Sequence, residues 1–201
     1  ADTRPQLEPD QALLLKDMMI GFKNSGMDLN DEDLETFKKL NKEKAQYVIA
    51  FDKNVQEYKD HLEVTDEQLQ GLGPDYISKL QKTEDGKYRV TLDYPDYVPF
   101  MLNSTSTQAR KELEFKYNRR GGQENVELLE KTLALRQQIA QLLGYKNHAQ
   151  LKLENRMAKN PEKVFAFLKD LQKRLTPMAQ AEDKNLLAYK NQKQGSKSRT
   201  L

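Results

Sequence analysis

The residues with the greatest capacity for metal chemistry are two histidines, His61 and His148, which are far apart in the sequence. A zinc-binding helix needs a second histidine four residues further on, because that spacing places two imidazoles on one helix face. The stretches HLEVT and HAQLK lack this second histidine, and the chain contains no cysteine. Since a catalytic zinc typically takes three protein ligands, commonly including histidine, we predict no catalytic residue and no metal ligand in this chain.

Other reactive motifs give no stronger signal. The sequence has no G-x-S-x-G nucleophile turn, and GLGPDY, residues 71–76, follows no predicted strand, as a dinucleotide-binding loop must. The stretch RRGGQEN, residues 119–125, could cradle a phosphate with backbone amides and guanidinium groups. We favour a structural interpretation, in which the arginines complement a helix C-terminus and the glycines let the chain turn.

The composition describes a very polar chain of 201 residues, of which 32% are charged and 37% are hydrophobic. A net charge of +2 provides no overall field that would attract nucleic acid or acidic membranes. No run approaches the roughly 18 consecutive apolar residues of a membrane helix, so we expect no membrane partner. The absence of cysteine excludes disulfides and favours a reducing compartment, hence a cytoplasmic location.

Apolar residues at helical spacing predict a mainly α fold, a multi-helix array. The first helix is predicted from Pro9 to Gly26, because proline suits a first helical turn and glycine a left-handed exit. Asn30 is placed to cap a second, long helix, whose apolar stripe continues at steps of three and four as far as Leu62. A shorter helix is predicted from Pro74 to about Lys82.

The second half of the chain carries the strongest helical patterns. The stretch ENVELLEKTLALRQQIAQLLG has apolar residues on two faces, which predicts a helix buried between neighbours. Asn147 and Asn160 are predicted caps of two further helices. The last helix is expected to turn five apolar residues inward: Val164, Phe167, Leu168, Leu171 and Leu175.

The stretch KYRVTLDYPDYVPFM, residues 87–101, differs from the rest of the chain. Tyr88, Val90 and Leu92 alternate with polar residues, which predicts a short half-buried strand or hairpin near residues 86–93. Pro95 and Pro99 end the strand, because neither can donate to a ladder, and their spacing fits a stiff turn or one short helical turn. No second strand of similar quality lies nearby, so we expect a weak partner strand or one in chain that is not present here.

Residues 184–201 contain no acidic residue, whereas charges of both signs are mixed through residues 1–183. We therefore predict a helical segment over 1–183, followed by a basic, flexible end or linker over 184–201. Binding of nucleic acid through this end would weaken steeply with salt. The end has no interleaved aromatic residues, however, so we expect no nucleic-acid partner.

Three groups of residues carry a resemblance to a known family. YRVTLDYPDYVPFM resembles its strand and Pro-aromatic turn, and the run from Glu124-Asn125 to Gly144-Tyr145 resembles its EN…LL…LR…LLGY helix. Met157-Ala158 with Asn160-Pro161 resembles the entry to its next long helix. The family is that of the zinc metallopeptidases thimet oligopeptidase, oligopeptidase A and peptidyl-dipeptidase. Residues 29–72 are also similar to it in their layout of long helix, short strand-like segment and acidic turn, so the resemblance covers nearly the whole chain.

The resemblance implies a channel-type, largely helical peptidase that cuts short peptides with one zinc in its active site. In that family the zinc is held by an H-E-x-x-H helix and a further glutamate, and the motif glutamate acts as general base. None of these residues occurs here, so we expect a non-catalytic helical portion that is inactive alone and binds no zinc. The expected partners are short peptides in the intact enzyme and the remainder of the same polypeptide, with self-association of the isolated segment.

Tyr94 and Tyr97 have two interpretations within this resemblance. They either pack the Pro-aromatic stretch against neighbouring helices or line the channel as substrate-binding residues, and we favour packing because buried tyrosines usually find local partners. An alternative from another class is a free-standing helical interaction module without enzymatic activity. Such a module would bind partner helices through the apolar stripes of residues 126–142.

Overall fold

A computed structural model of the chain describes residues 7–195 and 197–199. The described residues form eight helices and one three-stranded antiparallel sheet, which confirms the mainly α prediction. The helices are α1 (Pro9–Asn24), α2 (Asp31–Gln56), α3 (Pro74–Ile77), α4 (Tyr94–Asn103), α5 (Thr107–Tyr117), α6 (Gly122–Leu142), α7 (His148–Leu153) and α8 (Pro161–Gln194). The strands are β1 (His61–Val64), β2 (Gln81–Lys82) and β3 (Tyr88–Thr91).

The chain divides into two compact units, each with its own packing. One unit is continuous from Lys38 to Arg136, and the other combines the residues up to Phe37 with those from Gln137 onward. The predicted boundary between 183 and 184 falls inside α8, which continues to Gln194 and ends at the left-handed Gly195. Of the predicted flexible end, residues 196, 200 and 201 lie outside the described residues.

The predicted asparagine caps are confirmed. In each case the side-chain Oδ1 accepts a hydrogen bond from the backbone N–H three residues further on, at 2.8 Å for Asn30 and 2.9 Å for Asn147 and Asn160. These bonds satisfy N–H groups that the first helical turn leaves without a partner. Local chemistry therefore sets the beginnings of α2, α7 and α8.

The sheet decides between the two alternatives left open for the partner of the predicted strand, and it corrects the end of the predicted long helix. β3 is its central strand, with β1 and β2 paired antiparallel on either side, so the partners of β3 lie within this chain. The strand β1 occupies residues that we assigned to the long helix, and α2 ends at Gln56. Leu62 and Val64 are buried opposite Val90 and Tyr88 while Glu63 is exposed. This alternation of buried and exposed residues is typical of a strand. The sequence did not reveal it, because Leu62 also continues the apolar residues at helical spacing.

The core of the Lys38–Arg136 unit lies where α4 and α5 cover one face of the sheet. Phe100 of α4, Leu113 of α5 and Val90 of β3 have no accessible surface. Burial of such side chains stabilises a fold by about 1.5–3 kcal/mol each, relative to leaving them exposed. The buried cluster comprises Leu62, Val64, Leu69, Leu80, Val90, Leu92, Phe100, Ala109 and Leu113.

A tight loop contact closes this core beside the C-terminus of α4. Thr105 donates its backbone N–H to the carbonyl of Gln70 at 2.9 Å, and the Ser104 hydroxyl donates to the carbonyl of Gln68 at 2.9 Å. Gly71 has a φ of +94°, and a Cβ there would lie 2.1 Å from the carbonyl oxygen of Asn103. Only glycine permits this approach of two backbones.

The long helices are covered on one face at most. In α6, Leu135 and Ile139 are buried, whereas Val126, Leu129 and Leu133 are exposed by 46%, 46% and 52%, so the predicted burial on two faces is correct for one face only. No residue of α1, α2 or α8, all of which the structure describes, is buried.

The inward orientation predicted for the last helix is wrong within this chain. Phe167, Leu168, Leu171 and Leu175 of α8 are all exposed. The spacing identifies residues that share a face but not whether a neighbour covers it. None of the described helices is both long enough and apolar enough for a membrane span.

Candidate functional site

The Pro-aromatic stretch folds as α4, a ten-residue helix rather than a single turn. Pro95 lies in the first turn, where the missing N–H costs nothing, so the proline predicted to end the strand also begins the helix. The Asp96 carboxylate accepts hydrogen bonds from the backbone N–H of Thr91 at 3.1 Å and from its hydroxyl at 2.6 Å. This carboxylate fixes the corner between β3 and α4, a role that we did not predict from the sequence.

Tyr97 is a packing residue in this structure. Its ring stacks on that of Tyr117 in α5, with 3.8 Å between ring centroids and 16° between ring planes. The guanidinium carbon of Arg120 lies 3.7 Å from the Tyr117 ring centroid, and since Tyr97 covers one face of that ring, Arg120 covers the other. Arg120 also donates its Nε–H to the Tyr117 carbonyl at 3.0 Å. The three side chains form one stack that joins α4 to the end of α5.

Tyr94 has a different environment, although it lies only three residues before Tyr97. It is the first residue of α4, and 71% of its surface is exposed. Leu102, near the other end of the helix, is also exposed, by 76%. The structure therefore separates the two predicted site residues: Tyr97 packs against the core, and Tyr94 is free to contact another molecule or another part of the polypeptide.

Two tyrosines at α4, Tyr76 and Tyr97, have a raised pKa and remain protonated at neutral pH. Burial raises the pKa of Tyr76 strongly, and the charge of Asp96 raises it further. The Tyr76 hydroxyl donates to the Asp96 carbonyl at 2.8 Å, which adds a second tie to the first turn of α4. Burial and the Glu114 charge raise the pKa of Tyr97, while Arg120 opposes them. The Tyr76 hydroxyl therefore acts as a hydrogen-bond donor and not as a base.

The polar face of the sheet borders a cavity of about 530 Å³. Asp60, at its margin, accepts two hydrogen bonds from the Lys116 ammonium group at 2.8 and 2.9 Å. Burial acts to raise the pKa of Asp60, but the Lys116 hydrogen bond, the His61 amide and the Lys116 charge lower it overall. Arg89, on the same face, is 4.0 Å from the carboxylate of Glu63. The carboxylates of Asp60 and Glu63 therefore each lie beside a cationic side chain on this face.

The RRGGQEN stretch forms the tight turn that the structural interpretation predicted. Gly121 and Gly122 have φ of +82° and +53°, and a Cβ at Gly121 would lie 2.2 Å from the side-chain nitrogen of Asn125. Asn125 is buried, donates to the carbonyl of Phe51 at 3.1 Å and accepts from the side chain of Asn54 at 2.9 Å. Asn125 therefore joins α6 to α2.

The residues present do not fit a zinc site. The His61 imidazole lies 3.8 Å from the carboxylate of Glu63, and Glu63 already faces Lys87 at 3.8 Å as well as Arg89. No group of three or more histidine, cysteine, aspartate or glutamate side chains converges among the residues that the structure describes. Two cations beside one carboxylate disfavour a further cation at that place.

Comparison with known proteins identifies the family to which the chain belongs. The sequence pattern of Peptidase family M3 matches residues 100–200. A thimet-like oligopeptidase of Dictyostelium discoideum is 33% identical over 178 residues, which are 88% of this chain and 26% of the relative. Saccharolysin of Saccharomyces cerevisiae is 33% identical over 79% of this chain and 23% of its own length. Oligopeptidase A of Escherichia coli is 35% identical over 63% of this chain and 20% of its own.

The chain spans about a quarter of the length of the curated relatives that it matches. The matched region includes the last four residues of α4 and all of α5, α6, α7 and α8. It contains in full two of the three groups of residues that carried the resemblance in the sequence, those at 124–145 and 157–161. The fold of these elements is mainly helical, as the resemblance implied. The chain therefore belongs to Peptidase family M3, the family of the oligopeptidases named above.

Proposed function

We propose that this chain is a non-catalytic helical portion of a zinc-dependent oligopeptidase that, when intact, hydrolyses short peptides. The observation that carries the proposal is the match to Peptidase family M3 by a chain that spans only a quarter of its relatives and lacks the H-E-x-x-H motif. Zinc, when bound, polarises a peptide carbonyl and lowers the pKa of bound water. Its ligands are supplied by residues outside this chain.

This chain contributes a rigid structural element to the intact enzyme. The sheet, α4 and α5 share one buried core, and hydrogen bonds from Thr91 and Tyr76 fix the first turn of α4. A side chain on such an element is positioned more precisely than one on a loop. Tyr94 projects from this element with most of its surface exposed, so it is our candidate for contact with a peptide substrate.

The proposal is tested by comparing this chain with the full-length protein. Both are purified and assayed with an internally quenched fluorescent peptide of about ten residues, with and without 1,10-phenanthroline, and their zinc content is measured by mass spectrometry. We expect the full-length protein to bind one zinc and to cleave the peptide in a chelator-sensitive reaction. This chain is expected to do neither. Chelator-sensitive cleavage by this chain alone, or no cleavage by the full-length protein, contradicts the proposal.

The role of Tyr94 is tested in the full-length protein with Tyr94→Ala. If Tyr94 contacts substrate, KM rises about 3–10-fold with little change in kcat, which is the signature of lost ground-state binding. Leu102→Ala is the matched control, because Leu102 is equally exposed on the same helix. If the two substitutions have equal kinetic effects, or if Tyr94→Ala has no effect, α4 has a structural role only.

The partners and location follow from the same proposal. The partners are short peptides in the intact enzyme and the remainder of the polypeptide, and the compartment is the cytoplasm, which imaging of a tagged full-length protein would test. The isolated chain self-associates through the exposed residues of α1 and α8, among them Met18, Phe22 and Phe167. Sedimentation that stays monomeric over a hundredfold concentration range would refute this.

The free-standing interaction module is the second candidate. The observation in its favour is the exposed stripe of Val126, Leu129 and Leu133 on α6. The coding sequence decides between the two: an H-E-x-x-H motif downstream in the same reading frame supports the peptidase, and a stop codon directly after Leu201 supports the module.

A further inference from the structure

A continuous groove runs between α2 and α6 in the Lys38–Arg136 unit. It consists of two depressions of about 550 and 190 Å³ that share Phe51 and Leu129. The buried Asn125 joins the two helices at one end of the groove, through its bonds to Phe51 and Asn54. Because this tie is buried and hydrogen-bonded, the groove is preformed.

The walls of the groove are apolar and helically spaced. On α6, Val126 and Leu129 line the groove three residues apart and are each about half exposed. On α2, Val48 and Phe51 face the same space. The stretch from Val126 to Arg136 corresponds to about 15 Å of helix. This length accommodates roughly three turns of a docked helix with its own apolar residues at i, i+3 or i+4, and i+7.

The charged residues that line the groove are all arginines. Arg119 and Arg120 lie at one end and Arg136 at the other, and among the described residues no carboxylate lines either depression. Arg119 lies 4.0 Å from the centroid of the Phe115 ring, and Arg120 stacks on Tyr117. Stacking uses the flat face of a guanidinium and leaves N–H groups at its edge for a carboxylate.

We propose that this groove binds an amphipathic helix with apolar residues along one face and carboxylates near both ends, supplied by the rest of the same polypeptide. The apolar walls fix the docked face, and the arginines at the two ends select for acidic residues. A source within the polypeptide is favoured because about three quarters of the length of the relatives lies outside the aligned region. The inference rests on the proposed function, and it identifies the surface through which this chain contacts the remainder of the intact enzyme.

The first test uses this chain and a designed fluorescent helix of 14 residues, with leucines at i, i+3 and i+7 and two glutamates at each end. Fluorescence anisotropy compares it with the same peptide carrying lysines at its ends. We expect at least about tenfold tighter binding of the glutamate form, since each 1.4 kcal/mol of charge preference is a factor of ten. Equal binding of the two forms, or no binding, overturns the proposal.

Variants locate the binding surface. Leu129→Ser is expected to weaken binding about tenfold, and Arg136→Glu is expected to reverse the preference toward the lysine form. Leu102→Ser is the control, because it removes an exposed leucine from another helix of the same unit. If Leu102→Ser weakens binding as much as Leu129→Ser does, the interaction is unspecific and the proposal fails.

The second test uses the full-length protein with a photo-crosslinking amino acid in place of Leu129. The expected product is an intramolecular link to an acidic amphipathic helix outside these 201 residues, identified by mass spectrometry. A link to a second copy assigns the groove to self-association and overturns the proposal, as does a link to an extended segment. Neither readout depends on peptidase activity, so a failure here is distinguishable from a failure of the proposed function.

Discussion

Two regions of the molecule differ in whether their apolar residues are covered. The first is the sheet together with α4 and α5, and the second consists of the helices α1 and α8. Phe100 of α4 has no accessible surface, whereas Phe167 of α8 has 65% of its surface exposed. The first region closes a core with residues between Leu62 and Leu113, all within one unit. The second has apolar stripes of similar quality and nothing described that buries them. The comparison teaches that a good helical stripe does not imply a core within the same chain.

The largest expected effect comes from matched phenylalanine deletions in the two regions. Phe100→Ala removes a fully buried ring and should lower the free energy of unfolding by about 3–5 kcal/mol. Phe167→Ala removes an exposed ring and should change it by less than about 0.5 kcal/mol. Urea titration followed by circular dichroism measures both. If the two variants lose comparable free energies of unfolding, Phe167 is buried in solution, and the two regions do not differ as described.

The next effect concerns the turn that leads into α6. Gly121→Ala places a Cβ against Asn125 at a left-handed φ and should cost about 2–4 kcal/mol, as strain adds to the disrupted tie between α6 and α2. Gly122→Ala, where a Cβ meets no atom within 4 Å, should cost about 1 kcal/mol through conformation alone. Thermal unfolding compares the two. Equal costs would show that the Asn125 contact adds nothing.

A smaller effect tests whether side-chain hydrogen bonds stabilise the unit that contains Asn24, Tyr145 and Glu154. The Tyr145 hydroxyl bonds to Asn24 at 2.9 Å and to the Glu154 carboxylate, so Tyr145→Phe should cost about 1–2 kcal/mol. Burial and the hydrogen bond to Glu154 raise the pKa of Tyr145 to about 12. Because the folded pKa exceeds the usual value of about 10, this stability is complete below pH 10 and is lost as pH rises toward 12.

The difference in stability between wild type and Tyr145→Phe, measured from pH 8 to 12, isolates this residue from the other tyrosines. The difference should shrink above pH 10. A difference that stays constant over that range would show that the hydroxyl is not the group that titrates.

The smallest effect belongs to the ion pair of Asp60 and Lys116, whose side chains are 27% and 34% exposed. The pKa of Asp60 is lowered overall, because the Lys116 and His61 interactions outweigh burial. The pair therefore contributes stability above pH 4 and loses it as pH falls below that value. We expect at most about 1 kcal/mol at this exposure.

Lys116→Met should reduce this acid dependence, as followed by urea unfolding between pH 3 and 7, while the hydrogen bond from the His61 amide to Asp60 remains. The control Glu57→Gln breaks the pair with Lys53, which is more than 60% exposed on both sides, and should change almost nothing. If both variants behave alike, the partly buried pair has no special role.

Local chemistry explains how much of the fold was predictable. The caps at Asn30, Asn147 and Asn160 involve residues three positions apart, and the sequence alone predicted them correctly. The helical periodicity missed β1 because pairing with β3 decides its conformation, and that contact is not local. The orientation of α8 was mispredicted because periodicity shows which residues share a face and not what covers them.

The candidate site shows the same limit. A pattern identified Tyr94 and Tyr97 together, yet one is packed and the other exposed. The stack of Tyr97 on Tyr117 and Arg120 depends on how α5 crosses α4, which spacing along either helix does not determine. The Asp96 bond to Thr91 joins residues only five apart, so an Asp after a strand–proline corner is the signal that could have been recognised.

Because β3 is the central strand, the edges of the sheet are formed by the short strands β1 and β2. The two outer strands have only four and two residues, and Glu63 of β1 faces Arg89 of β3. Short charged edges are poor templates for strand addition and amyloid growth. If the isolated chain associates through its exposed helices, as we propose, its precipitates should keep helical infrared bands and should not increase thioflavin T fluorescence.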